Sequence, residues 1–459
     1  MKDYRDSTEV IILAAGMGTR MKSDTPKVLH PLLGKPMLAY ILDAVAGLSD
    51  KPPIVVVGSG ADLVKETIGD RARYVLQEPQ LGTAHAVQCA KALVDKSTRS
   101  ILVANSDFPL IRPETYQALA DRHHAQASKL TITTVVADAP REFGRILRDE
   151  QGRVVRIVEN KDATPEIKQI KELNSNPYMF DAEWLWESIE LIEKSPAGEY
   201  YLTDLVQIAY QQGFDVAAIQ VADIEESIGI NNRIHLAEAV RVLQRRTNER
   251  WMLEGVTMPD PSQVYIDSQV TIGKDSVLYP GTYLRRNTVI GERCAIGPNV
   301  IMEDTTIGND CKIVLSVLEK AVLEDHVDMG PFGHLRKGAH LAEHVHMGNF
   351  GEIKNSYLGP GTKMGHFSYV GDAEIGANVN IGAGTVTCNY DGEGKFKTVI
   401  GEGVFIGSDT MLVAPVKIGK GSKTGAGAVV THDVPDDTIV VGVPARPLDR
   451  KNRDKDKKE

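Results

Sequence analysis

The sequence predicts two architectures in one chain: an α/β domain with a mostly parallel sheet over the first half and a parallel β-helix over most of the second. Three observations carry this reading. Short apolar runs alternate with helix-like stretches from residue 9 to about 223. A helical amphipathic pattern fills residues 232–255, and from about Gln263 aliphatic residues recur every six positions.

In the first region the apolar runs at 10–13, 54–57, 101–104 and 130–136 are short enough for strands. The stretches between them are long enough for crossover helices, the pattern of a parallel sheet covered on both faces. Ligands of such sheets sit at the carboxyl ends of the strands.

Leu236, Val240, Leu243 and Thr247 then follow helical spacing, with Glu238, Arg241, Arg245 and Glu249 largely elsewhere on the wheel. Asn231 or Asn232 can cap this helix, and Gly255 with Pro259 and Pro261 ends it. The expected division is therefore a domain at 1–230, a linker helix at 231–255, a β-helix at 256–447 and a charged tail at 448–459.

In the β-helix, Ile266, Ile272, Leu278, Leu284, Ile290, Ile296 and Met302 step by six without a slip. The register resumes at Ile400, Ile406, Leu412, Ile418, Thr424 and Val430, and glycine follows many of these markers. Six-residue segments of one short strand and one corner bury the marker inward, and glycine is expected to relieve the tight turn. A polar insertion, CNYDGEGKFKT, interrupts the late repeats and reads as a projecting binding loop.

Bulk properties narrow the function. The chain of 459 residues has 42% hydrophobic and 25% charged residues, which suits two or three folded domains at roughly 150 residues each. A net charge of -10 argues against a broad nucleic-acid surface. The apolar run at 10–15 is too short for a signal core or a membrane span, so neither export nor membrane association is expected. Cys89, Cys294, Cys311 and Cys388 lie far apart in sequence with no CxxC pair, which fits a reducing cytoplasm.

The first strand runs into Leu13, Ala14, Ala15, Gly16, Met17, Gly18, Thr19 and Arg20, followed by Pro26 and Lys27. Small residues let backbone N–H groups approach phosphate oxygens, and Arg20 and Lys27 add charge. This spacing resembles the signature of sugar-phosphate nucleotidyltransferases. Asp107, just past the strand at 101–104, stands where a sheet enzyme places a metal-binding carboxylate. In the second half, 349–354 and 365–372 lie about one coil apart, which sets Lys354 and His366 on one side of the solenoid.

The segments QEPQLGTAH (77–85), FGRI (143–146), IVENKDA (157–163), GEYYLTD (198–204) and NNR (231–233), with NIGAG (380–384) and the loop carrying Asn389, Tyr390 and Lys395, extend the resemblance. From about residue 9 to about 445 the chain resembles the bifunctional N-acetylglucosamine-1-phosphate uridyltransferase and glucosamine-1-phosphate acetyltransferase family. That resemblance implies a Rossmann-like nucleotidyltransferase domain and a left-handed β-helix. It implies acetyl transfer from acetyl-coenzyme A to glucosamine 1-phosphate, then uridylyl transfer from UTP to N-acetylglucosamine 1-phosphate, in a cytoplasmic homotrimer.

By the same resemblance, Leu13, Ala14, Ala15, Gly16, Arg20 and Lys27 face the nucleotide phosphates. Gln77, Gln80, Gly82 and Thr83 hold the nucleotide, with uracil read by Gln77, Gln80 and Gly82. Gly144, Glu159 and Asn174 hold the sugar, and Asp107 and Asn231 bind Mg²⁺. In the β-helix His366 is the base, Arg336 and Lys354 bind the acceptor phosphate, and Tyr369, Asn380 and Lys395 position the sugar. Ala383, Asn389, Tyr390, Ser408, Ala426 and Arg446 approach acetyl-coenzyme A, with Lys395 expected to reach a neighbouring subunit's substrate. Met17, Ser106, Ser175-Asn176-Pro177 and Lys337 depart from the family pattern. A single-activity glucose-1-phosphate adenylyltransferase-like enzyme with a structural β-helix accounts for the N-terminal motifs, but not for His366, Lys354 and the inserted loop.

Overall fold

The computed structural model describes residues 4–138, 143–196 and 198–448. The chain divides into two compact units, Met1–Leu243 and Gln244–Glu459. The charged tail expected beyond Leu448 lies outside the described residues.

The first unit is built on β1 (Thr8–Ala14), β2 (Ile54–Val57), β3 (Arg73–Leu76), β4 (Ser100–Asn105) and β5 (Leu130–Val136), then β6 (Arg145–Arg148), β7 (Val154–Val158), β8 (Glu172–Asp181) and β9 (Ala217–Gln220). Among the described residues the sheet runs β9-β5-β8-β4-β1-β2-β3, with the β6–β7 hairpin beside β8. The pairings of β1 with β2 and β4, of β2 with β3, and of β5 with β9 are parallel. β8 is antiparallel to both β4 and β5. The mostly parallel expectation thus meets one reversed strand, reached through the β6–β7 hairpin rather than by a crossover helix.

The near-continuous apolar character of β1 follows from burial on both faces. Ile11, Ile54 and Val56 pack on one side with Ala84 and Val87 of α3 (Thr83–Ala90) and Leu205 of α6 (Asp204–Gln211). The alternate residues Val10, Ile12 and Val55 pack on the other with Ile41 of α1 (Met37–Val45), Val64 of α2 (Ala61–Ile68) and Leu119 of α4 (Pro113–Gln126). α5 (Ala182–Ser188) is capped by Asp181, whose side chain accepts from the Trp184 amide at 2.9 Å.

The predicted linker is a helix, α7 (Arg233–Leu253). Asn232 is its cap, its Oδ1 accepting from the Ile234 and His235 amides at 2.9 and 3.0 Å. The division between units falls inside this helix. Its first half packs Ala239 and Val242 on Leu32, Met37 and Ile230. In its second half Gln244 and Asn248 donate to the Val264 carbonyl at 2.8 and 2.9 Å, which explains two buried amides in an amphipathic helix.

In the second unit, among the described residues, ten, nine and eleven strands form three ladders in which each strand pairs with the third one after it, except at the end of the eleven-stranded ladder, where Lys423–Thr424 pairs with Ile439–Val441 and that strand pairs antiparallel with Arg446–Pro447. This is the parallel β-helix. Every marker of both six-residue series is buried. Thr424 joins the aliphatic column by accepting from the Gly407 amide and bonding the Thr410 hydroxyl, each at 2.9 Å. The sequence register is lost after Met302 because coils shorten, as the pairs Met302↔Leu318 and Leu318↔Leu335 show. It lengthens at Ile375↔Ile400 to hold the inserted loop.

The role expected for the post-marker glycines needs correcting. At Gly291 and Gly382 an added Cβ would lie 2.5 Å from the Gly308 oxygen and 2.6 Å from the Ser408 nitrogen, so glycine there permits close approach of successive coils. Left-handed corners are taken instead by residues such as Asp275, Arg293, Asp310, His326 and His344.

Candidate active sites

At the carboxyl ends of β1 and β4 a cavity of about 490 Å³ opens in the first unit. It gathers Leu13, Ala14, Ala15, Gly16, Arg20, Lys27, Gln77, Gln80, Gly82, Thr83, Asp107 and Asn231, twelve of the residues predicted from sequence. The loop after β1 turns at Gly18, where φ is 61° and a Cβ would press on the Lys27 side chain at 2.8 Å. Gly82 has φ 103°, and a Cβ would meet the Tyr200 carbonyl oxygen at 2.5 Å. The Gln77 side-chain amide donates to the Gly82 carbonyl at 2.9 Å, and that of Gln80 to the Ala15 carbonyl at 2.5 Å. Thr83 accepts from the Leu202 amide at 2.9 Å, tying the wall to 198–204.

The floor holds a converging pair of oxygens. Lys27 Nζ lies 2.8 Å from Asp107 Oδ2 and 3.2 Å from Asn231 Oδ1. Because Asn232 caps α7, the neighbouring Asn231 side chain is free to face the cavity. Ser106 also lines it, its amide anchored on the Leu13 carbonyl at 3.0 Å, while Met17 stands exposed at the rim.

Gly144, Glu159 and Asn174 do not line this cavity but assemble beside it. The Asn174 amide donates to the Gly144 carbonyl at 2.9 Å. Glu159 Oε1 accepts from the Thr203 hydroxyl at 3.0 Å, and burial pushes its carboxyl above the ordinary range against that bond and the Lys161 charge. Asn174 Oδ1 is buried with no hydrogen-bond partner among the described residues. Glu199 and Tyr201 line the cavity as well and were not assigned from sequence; their position inside the GEYYLTD motif was the available signal.

On the β-helix, register pairs Leu335 with Ile353, which sets Arg336 and Lys354 on neighbouring rungs. The inserted loop closes on itself through a Tyr390–Lys395 bridge and a Phe396 amide to Asn389 carbonyl bond of 2.8 Å. Within one chain the Lys395 charge lies close enough to act on Lys354. The Lys395 ammonium beside it, then the Arg336 charge, hold Lys354 below the usual lysine range.

Acidic groups that the sequence reading did not single out complete the patch. Glu352 bonds Arg336 at 2.9 Å, and Asp372 accepts from Asn355 at 2.6 Å and Asn389 at 2.5 Å. Burial pushes the Asp372 carboxyl up, but these bonds and the Lys395 and Lys354 charges outweigh it and hold it down. The Tyr369 hydroxyl lies over Gly371 beside Asn389. A cavity of about 510 Å³ takes in Asp372 and Lys395.

His366 is exposed at the corner entering the Ser368–Gly371 strand. The pairs Lys363↔Asn380 and Tyr369↔Val386 bracket that corner and place His366 one coil from Ala383, with Asn380 on the strand leading in. Backbone bonds Asp409 N to Ala383 O at 2.6 Å and Gly427 N to Ser408 O at 2.8 Å continue one column through Ala383, Ser408 and Ala426. Tyr390 is exposed on the loop, whereas Arg446 sits on the final hairpin, paired with Val441.

Three family models match the chain. Nucleotidyl transferase covers residues 9–229, the hexapeptide repeat of succinyl-transferase 287–314, and the bacterial transferase hexapeptide (six repeats) 397–432. The chain is 45% identical over 443 residues to the bifunctional protein GlmU of Geobacillus sp. (strain WCH70), covering 96% of each. It is 47% identical over 435 residues to that of Fervidobacterium nodosum, covering 95% of this chain and 94% of the relative. With a nucleotidyl transferase unit and a hexapeptide β-helix aligned end to end with such relatives, the chain belongs to the family of bifunctional GlmU proteins.

Proposed function

We propose that each unit carries one of the two transfers of UDP-N-acetylglucosamine synthesis at the sites described above. The observation that carries the N-terminal assignment is the convergence of Asp107 and Asn231 on Lys27. Two oxygen ligands meeting at one cationic point suit Mg²⁺, which takes few protein ligands when phosphates and water complete its shell. Bound there, Mg²⁺ supplies charge neutralisation for the triphosphate. Lys27 and Arg20 hold the phosphates of UTP, the glycine loop offers its amides, and Gln77, Gln80, Gly82 and Thr83 enclose the uracil end. Gly144, Glu159 and Asn174 orient N-acetylglucosamine 1-phosphate for attack on the α-phosphorus, with pyrophosphate leaving.

On the β-helix, Lys354 and Lys395 are two ammonium groups held against each other beside Arg336. A phosphate dianion relieves that repulsion, which supports this patch as the anchor for glucosamine 1-phosphate. Tyr369 and Asn380 orient the sugar, His366 takes the amine proton, and the Ala383–Ser408–Ala426 column with Asn389, Tyr390 and Arg446 receives acetyl-coenzyme A. Ser408 donates to the thioester oxygen. The exposed solenoid faces favour a homotrimer, whose closed ring supplies concave walls. The four cysteines are free and no described helix is long and apolar enough to cross a membrane, in keeping with a cytoplasmic enzyme.

The test is a pair of substitutions assayed for both reactions. Asp107→Ala is expected to lower uridylyl transfer by at least about a hundredfold and leave acetyl transfer intact, and His366→Ala the reverse. Loss of both activities in either folded variant would overturn the assignment.

A further inference from the structure

We propose that His326, Glu343 and His344 form a binding site for a divalent late first-row transition metal, zinc foremost, that clips two adjacent coils of the β-helix together. The histidines occupy equivalent corners of successive coils, both with left-handed backbone at φ 58° and 61°. The His326 amide donates to the Asn309 carbonyl at 2.9 Å and the His344 amide to the Asp325 carbonyl at 3.1 Å, so the backbone fixes where both side chains start. Their rings stack with centroids 4.7 Å apart and planes within 5°. Glu343 Oε1 lies 3.3 Å from His344 Nε2. One ligand atom from each residue lies within 4.8 Å of the others.

A tetrahedral zinc with bonds of about 2.1 Å needs donors roughly 3.4 Å apart. All three side chains are exposed, which leaves the rings and the carboxylate room to rotate toward that spacing. Two imidazoles with one carboxylate select zinc, cobalt, nickel or copper over magnesium, whereas the Asp107–Asn231 pair offers only oxygen. The neighbouring Asp310 is engaged by Arg293 through two 2.8 Å bonds and stays outside the ligand set. The other histidine–carboxylate pairs of this region, His334–Glu319, His340–Glu324 and His346–Asp328, each bring one imidazole. The corner lies between the strands His340–Leu341 and His346–Met347, away from the corner that carries His366. A ligand that binds the folded coils and not the unfolded chain stabilises them, so the site acts as a staple.

The experiment uses the full chain with excess Mg²⁺, titrated with zinc by calorimetry and loaded separately with copper for electron paramagnetic resonance. The expected result is one zinc bound in the micromolar range, a raised melting temperature, and copper hyperfine structure from two nitrogens. In the double variant His326→Asn with His344→Asn, both zinc binding and the melting shift should disappear while both transferase activities persist. Asparagine tolerates the left-handed corner, so this variant is expected to fold. Glu343→Gln should weaken zinc about tenfold. Undiminished zinc binding by the double variant, no micromolar zinc uptake by the wild type, or a copper spectrum without two nitrogens would each overturn the site.

Discussion

Glu159 shows how one residue can join a structural cost to the sugar-binding role proposed for it. Its carboxyl is half-buried, and that desolvation pushes it above the ordinary range, with the Thr203 hydroxyl donating to it. A raised folded-state pKa means the charged form is disfavoured in the fold. The penalty is absent below the unfolded carboxylate range, grows as pH rises through the window up to the folded value, and is constant above it. Glu159→Gln should therefore melt at higher temperature than wild type near pH 8, with the difference vanishing in acid. Its KM for N-acetylglucosamine 1-phosphate should rise, because the amide is a weaker acceptor for sugar hydroxyls. Equal melting curves across pH, or an unchanged KM, would count against the assignment. Glu159 was legible only through motif resemblance, since no periodicity marks a side chain reaching toward Thr203 from the residue after β7.

At the scale of the element, the coil of the β-helix is governed by spacing between rungs. Gly291→Ala would place a methyl 2.5 Å from the Gly308 oxygen, in rigid backbone rather than a yielding side chain. The coils must separate locally, and the expected loss is about 1–3 kcal/mol, read as a lowered urea midpoint of the β-helix transition. Gly427→Ala is the control, since nothing lies within 4 Å of its added Cβ; its cost should be confined to the strain of φ 71°. The six-residue period revealed the inward column, but not that glycine is required by the coil beneath it. Nor did it reveal that Cys294 and Cys311, 17 positions apart, come together on adjacent rungs as free thiols beside the pairs Ala295↔Lys312 and Ile296↔Ile313.

For the whole molecule, the division within α7 decides where the chain can be cut. A chain ending at Gly229 loses Asn231 and also Ile230, Ala239 and Val242, which pack on Leu32 and Met37. It should show little uridylyl transfer and a lower melting temperature. A chain ending at Leu253 keeps both features and should retain uridylyl transfer close to that of the full chain, with acetyl transfer abolished. Comparable activity from the two truncations would remove the role given to Asn231.

The sequence by itself determined the two architectures, the helix that follows Asn232, and the glycine-containing loop after β1. Those features rest on local periodicity and on contiguous motifs at strand ends, where neighbours in sequence are neighbours in space. The tertiary structure decided what distant segments do together. It reversed β8 within the sheet, brought Asn231 and Lys27 to Asp107, set the Lys395 charge near Lys354, and set Glu352 and Asp372 against their cations. Register between strands and the path of an inserted loop depend on which backbone groups pair across the fold, and the spacing of residues along one chain does not encode that directly.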